Sequence, residues 1–480
     1  MQRELSPIWF ARRAANSAIT SCEAVRNYRF QIGAVIRPQE ESSAGRRATR
    51  NDTKMTSTPA IHQESAATID TAWVRAQFPS LQLRVSGQHA VFLDGPAGTQ
   101  VPQQVMRAVQ DYFLHKNANT CGAFATSRQS DEAIAAARLA MADFFNCDAS
   151  EVVFGQNMTT ITFALARAIG RELSAGDEIV VTTLDHDANV APWRALEEKG
   201  VVIRQVDICE ADCTLDLEDL KKKIARKTRV VAVGYASNAV GTINPVAEIT
   251  QMAHAAGAMT FIDAVHYAPH GSIDVKALDC DFLVCSPYKF FGPHMGVLYG
   301  KREHLERLRP YKVRPASEQI PDRWETGTQL HELIAGVHGA VEYLAELGRH
   351  CDASAATRRE ALLAAYRATV PYERSLLTKL IAGLLEIPAL KFYGITDAAR
   401  FSERCSTVSV RIGDHNPTAI AAFLGERGIF VWDGSFYALN LTERLGVESG
   451  GGLLRIGLVH YNTPDEVDRL LAVLHEFARK

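Results

Sequence analysis

The segment Cys285-Ser286-Pro287-Tyr288-Lys289-Phe290-Phe291-Gly292-Pro293, with Phe261-Ile262-Asp263-Ala264-Val265-His266 shortly upstream, decides how this chain is read. Lys289 lies in an apolar stretch, where loss of water penalises the ammonium form, lowers the pKa and leaves a nucleophilic amine able to condense with a carbonyl. Asp263 ends the apolar run 258–262, where a carboxylate is suited to keep a ring nitrogen protonated. Taken singly, each residue has a plainer reading: a lysine snorkelling from a half-buried turn, and an aspartate capping a strand. The surrounding pattern separates these readings.

Outward from this segment, short β-branched runs alternate with amphipathic helical stretches from about residue 69. Residues 151–154, 178–182, 201–203, 230–233, 259–262, 282–284 and 296–299 read as buried strands, and 131–145, 192–199 and 245–256 as helices between them. Such alternation predicts an α/β fold with a mostly parallel seven-stranded sheet covered by helices. Ligands of such sheets bind beyond the carboxyl ends of the strands, where Asp263 and Lys289 fall. Beyond about residue 333, helices are followed by a strand at 407–412, a helix near 419–427 and a last strand at 453–458, which reads as a smaller C-terminal α+β domain. The expected division is 69–335 for the large domain, whose first part is expected to pack on the small one, and 336–480 for the small domain.

At 480 residues and 47% hydrophobic composition, the chain can bury the cores of two domains. A net charge of −3 without a long basic run points away from nucleic acid and anionic membranes and toward a small-molecule substrate. The nine cysteines are odd in number, scattered and without a CxxC pair, which suggests reduced thiols and a cytoplasmic location. No apolar run approaches the roughly 20 residues needed to span a bilayer. Residues 1–68 are rich in arginine, serine and threonine and read as a disordered extension, or as an overcalled start upstream of Met55. Glu4, Glu23, Glu40 and Glu41 argue against an acidic-poor transit peptide.

Three further motifs extend the constellation. After the strand at 151–154 comes Gly155-Gln156-Asn157-Met158-Thr159-Thr160 and an apolar helical run, suited to a phosphate at a helix N-terminus, although threonine is also an ordinary N-cap. After the next strand comes Asp185-His186-Asp187-Ala188-Asn189-Val190-Ala191-Pro192-Trp193, whose histidine is either a surface residue or a catalytic one. Near the end, Arg455 lies in Leu454-Arg455-Ile456-Gly457. Together the motifs read as a pyridoxal 5'-phosphate site, and in order and spacing they resemble the class V aminotransferase superfamily of fold-type I pyridoxal phosphate enzymes. Within that superfamily the resemblance is to cysteine desulfurases of the SufS-like group, from about Val91 to the C-terminus.

The resemblance implies roles by position. His186 would stack on the cofactor ring and carry protons, and Lys289 would hold the cofactor covalently. Asp263 would pair with the ring nitrogen, and His266 takes a place usually held by a glutamine at the phenolic oxygen. Met158, Thr159, Ser286 and Tyr288 would surround the phosphate, with Tyr288 replacing the usual histidine. Asn238 would support the phenolic oxygen or the substrate carboxylate. Thr328 would reach the phosphate of the partner subunit in a homodimer, and Arg455 would clamp the carboxylate of an amino-acid substrate; its plainer reading is a surface salt bridge.

Two departures bear on the reaction. The stretch Val431-Trp432-Asp433-Gly434-Ser435-Phe436-Tyr437-Ala438 falls where desulfurases of this group carry their nucleophilic cysteine, and by that alignment Tyr437 takes the cysteine's place. Cys121, in Cys121-Gly122-Ala123-Phe124, replaces part of a substrate loop; it reads as a thiol near the site or as a small hydrophobe. The expected activity is C–S cleavage on cysteine or a related β-substituted amino acid. An epimerase, an aminotransferase or a catalytically inactive cofactor-binding partner are the alternatives.

Overall fold

The computed structural model describes residues 69–479, so the reading of 1–68 lies outside the described residues. The first strand of note, β1 (Val91–Phe92), is followed by seven strands that form one sheet. These are β2 (Val152–Gly155), β3 (Glu178–Thr182), β4 (Val202–Val206), β5 (Thr228–Gly234), β6 (Met259–Asp263), β7 (Phe282–Cys285) and β8 (Gly296–Gly300). Their order across the sheet is β2-β8-β7-β6-β5-β3-β4, parallel from β7 to β4, with β8 antiparallel to both of its neighbours. All seven expected strands are present. They were legible because helices cover both faces, so that nearly every strand residue is apolar.

Side chains alternate between two cores. Phe154, Val180, Val231, Ile262, Leu283 and Val297 face one cluster, and Val153, Val181, Val230, Phe261, Phe282 and Leu298 face the other. The helices α1 (Gln103–Asp111) and α2 (Ala125–Phe145) lie on the first side, and α3 (Met158–Ile169) on the second. α2 begins two turns before the expected start at 131. Its first turns bury serines rather than aliphatic residues: Ser127 Oγ donates to Asn119 O (2.6 Å), and Ser130 Oγ pairs with Tyr112 Oη (2.9 Å). The helix expected at 192–199 is one α turn, Ala191–Arg194, that tightens into a 3-10 turn and stops at Gly200. α4 (Val246–Ala255) matches its expected span closely.

Two long helices follow, α5 (His331–Cys351) and α6 (Arg358–Leu385). The strands β9 (Leu390–Tyr393), β10 (Thr407–Ile412), β11 (Ile429–Phe430), β12 (Trp432–Gly434) and β13 (Leu453–Gly457) come after them. β9, β10, β13 and β12, in that order, form an antiparallel sheet, and β11 pairs in parallel with β1. The helices α7 (Pro417–Gly425) and α8 (Pro464–Phe477) pack on this second unit. A division at 335/336 falls inside α5, whose Ile334, Val337, Val341 and Leu344 belong to the core of the large sheet. The changeover lies within α6: Leu362 and Tyr366 serve the first core, while Leu376, Leu380 and Leu384 serve the second. Val91 and Leu93 join the second core, whereas Val74, Phe78 and Leu81 before them join the first.

Candidate active site

The ends of β7, β6, β5 and β3 are adjacent at the carboxyl edge of the sheet. They deliver Ser286–Lys289, Asp263, Asn238 and His186 to one place. Lys289 ends a 3-10 turn that starts at Pro287, and its side chain points inward, only 7% exposed, with Nζ donating to the carbonyl of Pro96. Burial, assisted by the charge of Arg455 and opposed by that of Asp263, brings its amine down to about 7. The snorkelling reading is therefore excluded.

Asp263 ends β6 fully enclosed, with Oδ1 accepting from the Val265 amide (2.9 Å), and burial raises its pKa. Beside it Asp185 accepts from the amide of Gly234 (2.6 Å) and from Asn189 Nδ2 (3.1 Å). Burial and the charge of Asp263 push Asp185 upward as well. No local motif singles out Asp185, because its shorter bond is to an amide on a strand 49 positions away.

His186 heads the turn Asp187–Asn189, and its Nδ1 accepts from the Ala188 amide (3.0 Å), which leaves Nε2 to carry the proton of the neutral ring. Burial, reinforced by Lys289 and Arg455, brings it down to about 4, so the ring is neutral near pH 7. The ring of Tyr437 stacks on it at 5.4 Å and 19°. Asp187 N donates to Tyr437 O at 2.7 Å, tying the loop after β12 to the loop after β3. Phe436 and Tyr437 both adopt left-handed backbone angles, φ 56° and 58°, a local cost that these contacts offset. Tyr437 is nonetheless 74% exposed.

Arg455 on β13 is 5% exposed and makes no ion pair among the described residues; the surface salt bridge is therefore a misreading. Its Nη1 donates to Asn238 O (2.8 Å), and its guanidinium lies 4.1 Å from the centroid of the Phe436 ring. Burial lowers it to about 9, with Tyr288 and Asp94 acting the other way. Asn238 Nδ2 donates to Phe436 O (2.8 Å), while its Oδ1 is buried without a partner. The Nε2 atom of the enclosed His266 is also unpartnered. His266 and His186 both feel the charges of Lys289 and Arg455.

On another side, α3 points its N-terminus at the same edge. Asn157 caps it, accepting from Thr160 N (2.9 Å), so Thr159 is not the cap and its side chain stays exposed beside the buried Met158. Gly296 of β8 permits the close approach of this helix start: a Cβ there would lie 2.5 Å from the carbonyl carbon of Asn157. Ser286 is buried nearby in sequence to Tyr288, whose ring stacks on His294 at 4.8 Å. Thr328 is exposed on the loop before α5. That loop is anchored by Glu325, which accepts from Phe154 N (2.8 Å) and pairs with Arg138 (2.8 Å). Cys121 is exposed on the loop before α2, its amide donating to Asp131 Oδ1 (3.2 Å).

A carboxylate-bearing, ring-shaped ligand with a phosphate fits these groups. Arg455 and Asn238 Oδ1 are buried with capacity to spare, and Asp263 and the α3 N-terminus provide an acceptor and an anion site. Residues 91–470 match the Aminotransferase class-V family. A cysteine desulfurase of Dickeya dadantii is 33% identical over 423 residues, covering 85% of this chain and 96% of that protein. The apo structure of a cysteine desulfurase from Thermococcus onnurineus superposes with a TM-score of 0.75 at 27% identity, covering 86% of this chain and 98% of that one. A cysteine desulfurase from Escherichia coli, solved in an S-sulfonic acid form, gives a TM-score of 0.73 at 26% identity, covering 86% and 99%. With this α/β fold and this match across most of its length, the chain belongs to the class-V aminotransferase family.

Proposed function

We propose that this protein is a pyridoxal 5'-phosphate enzyme that cleaves the C–S bond of cysteine or a related β-substituted amino acid without a protein thiol nucleophile. The observation that carries this reading is the pairing of a buried amine near neutrality, Lys289, with a buried arginine that makes no ion pair among the described residues, Arg455. Lys289 would hold the cofactor, Asp263 would pair with its ring nitrogen, and His186 would stack on its ring. Asn238 and His266 serve the phenolic oxygen. Met158, Thr159, Ser286 and Tyr288 serve the phosphate, with Thr328 of a second copy in a homodimer. When bound, the protonated ring supplies an electron sink for charge at the Cα of an amino acid. Arg455 fixes the substrate carboxylate, and Lys289 and His186 hold and move the proton at Cα.

Tyr437 supports elimination over sulfur transfer to the protein. Its ring stacks on His186, and a phenol cannot accept sulfane sulfur as a persulfide. The exposed Phe113, Leu114, Phe124, Tyr311 and Val313 favour a homodimer. The unlinked buried thiols Cys213, Cys280, Cys285 and Cys405 favour a cytoplasmic setting. No described helix is long and apolar enough to cross a membrane.

The deciding experiment incubates the loaded protein with cysteine, cystine and cysteine conjugates and follows sulfide or thiol release together with pyruvate. Stoichiometric release of both is expected. Exchange of the α-hydrogen without release would replace this reading with an epimerase or aminotransferase, and absence of both with a non-catalytic binding partner.

A pH effect follows from the position of Lys289. Only the neutral amine attacks an aldehyde, so the rate at which cofactor-free protein captures pyridoxal phosphate should climb about tenfold per pH unit below neutrality. It should level off above pH about 7, where Nζ has lost its proton. Stopped-flow absorbance measures this, and a rate still climbing through pH 9 would mean an ordinary, solvated lysine.

A further inference from the structure

A cavity of about 520 Å³ is bounded by Tyr267, His270, Tyr366, Glu373, Arg404 and Cys405. It takes no part in the chemistry above. At its edge, where His270 and Cys405 line it, one nitrogen of His270, the sulfur of Cys405 and one nitrogen of His266 lie within 4.8 Å of one another. All three residues are buried, at 3%, 9% and 3% exposure. Their rings and thiol come from the loop after β6 and from the segment leading into β10, two parts of the chain over 130 positions apart.

We propose that His266, His270 and Cys405 form a site for a borderline-soft divalent cation, Zn²⁺ in class, reached through this cavity. The donor set is one that zinc selects: two imidazoles and a thiolate, with a fourth position left for water from the cavity. Tetrahedral bonds of about 2.0–2.3 Å separate ligand atoms by about 3.3–3.8 Å, so side-chain adjustment of about an ångström closes the cluster. The orientation of His270 is already fixed. Its Nδ1 is 2.7 Å from Glu373 Oε2, a carboxylate–imidazole contact that sets the tautomer and raises the basicity of Nε2. His266 offers Nε2, which is enclosed and has no hydrogen-bond partner. A purely structural packing of two histidines and a cysteine leaves that nitrogen's lone pair or proton unsatisfied, which a bound cation does not.

Binding balances simply. The Cys405 thiol loses its proton to solvent through the cavity, its sulfur bonds the cation, and both imidazoles bind as neutral rings. No oxidant or reductant is needed. Because His266 also feels the charge of Lys289, occupancy of this site should perturb the absorption of the loaded protein. That coupling rests on the proposed cofactor reading; the cation site does not.

Cobalt is the probe, since Co²⁺ bound by thiolate gives a charge-transfer band that Zn²⁺ displaces. Cofactor-free wild-type protein, treated first with chelator, should bind one equivalent of Co²⁺ with such a band, and Zn²⁺ should abolish it. Cys405→Ser should eliminate the band, and His270→Gln should weaken Co²⁺ binding by about tenfold or more. Should Cys405→Ser fail to fold, the wild-type protein supplies the readout: Zn²⁺ should protect Cys405 from alkylation, scored by mass spectrometry against Cys209. Absence of the band, its survival in Cys405→Ser, or labelling of Cys405 indifferent to Zn²⁺ would each overturn the site. Metal binding without any change in the cofactor spectrum of loaded protein would leave the site standing and remove the coupling through His266.

Discussion

Replacing Lys289 with alanine should abolish turnover and the visible absorption band of the loaded protein while leaving the fold intact. The turn that carries the residue is held by backbone bonds, Lys289 N to Ser286 O (3.0 Å) and Phe290 N to Pro287 O (2.8 Å), which alanine retains. The amine itself is a burden on the fold. Burial brings it down to about 7 from an ordinary lysine value, so its removal relieves a desolvated group whose one hydrogen-bond acceptor is the Pro96 carbonyl. The thermal midpoint of the cofactor-free variant should therefore match or exceed that of the parent. Loss of proton transfer alone costs about 10²- to 10⁴-fold in rate, and loss of the covalent anchor adds to it. Three readings on one sample check this: an absorbance scan, a melting curve and pyruvate release. A variant that keeps the parent spectrum would show that another lysine holds the cofactor.

How much of this was legible in the sequence depended on where each signal is stored. Strands such as Phe282–Cys285 are buried on both faces and read as unbroken apolar runs, and the residues that follow them are delivered to the site by topology alone. Lys289, Asp263, His186 and Arg455 were visible as residue types in motifs of the right order. Their partners were not. The acceptor for Lys289 is a backbone carbonyl 193 positions away, and Arg455 leans on a carbonyl 217 positions away. Neither is encoded by a side chain that a motif could show. Asp94 was passed over for a similar reason: it is lifted to about 6 by burial and feels Arg455 only because β1 is carried into the second core. Asn157 rather than Thr159 caps α3, a choice between adjacent polar residues that only the backbone angles decide. The changeover between the two cores falls within one helix, α6, which serves both in turn, and no break in the sequence marks it.

The second large effect concerns Arg455. Arg455→Gln should raise KM for the amino-acid substrate by about 10- to 150-fold, the equivalent of the about 1.5–3 kcal/mol carried by a charged hydrogen-bond pair. The guanidinium is almost wholly enclosed and makes no ion pair among the described residues, so no rearrangement of surface charge can replace it. A second signature separates carboxylate binding from mere packing. The charge of Arg455 helps to depress both Lys289 and His186, so its removal should move the midpoint for cofactor capture upward from about 7. Arg455→Lys keeps the charge but not the planar pair of donors, and should hold the capture midpoint near that of the parent while still raising KM. Glutamine also gives up the contact with the Phe436 ring, loosening the strained turn that carries Tyr437 over His186. A residue that only braced this loop would, when replaced, lower kcat for every substrate and leave the capture midpoint in place. A residue that binds the carboxylate would spare amines lacking one, so comparing an amino acid with its decarboxylated analogue in both variants assigns the role.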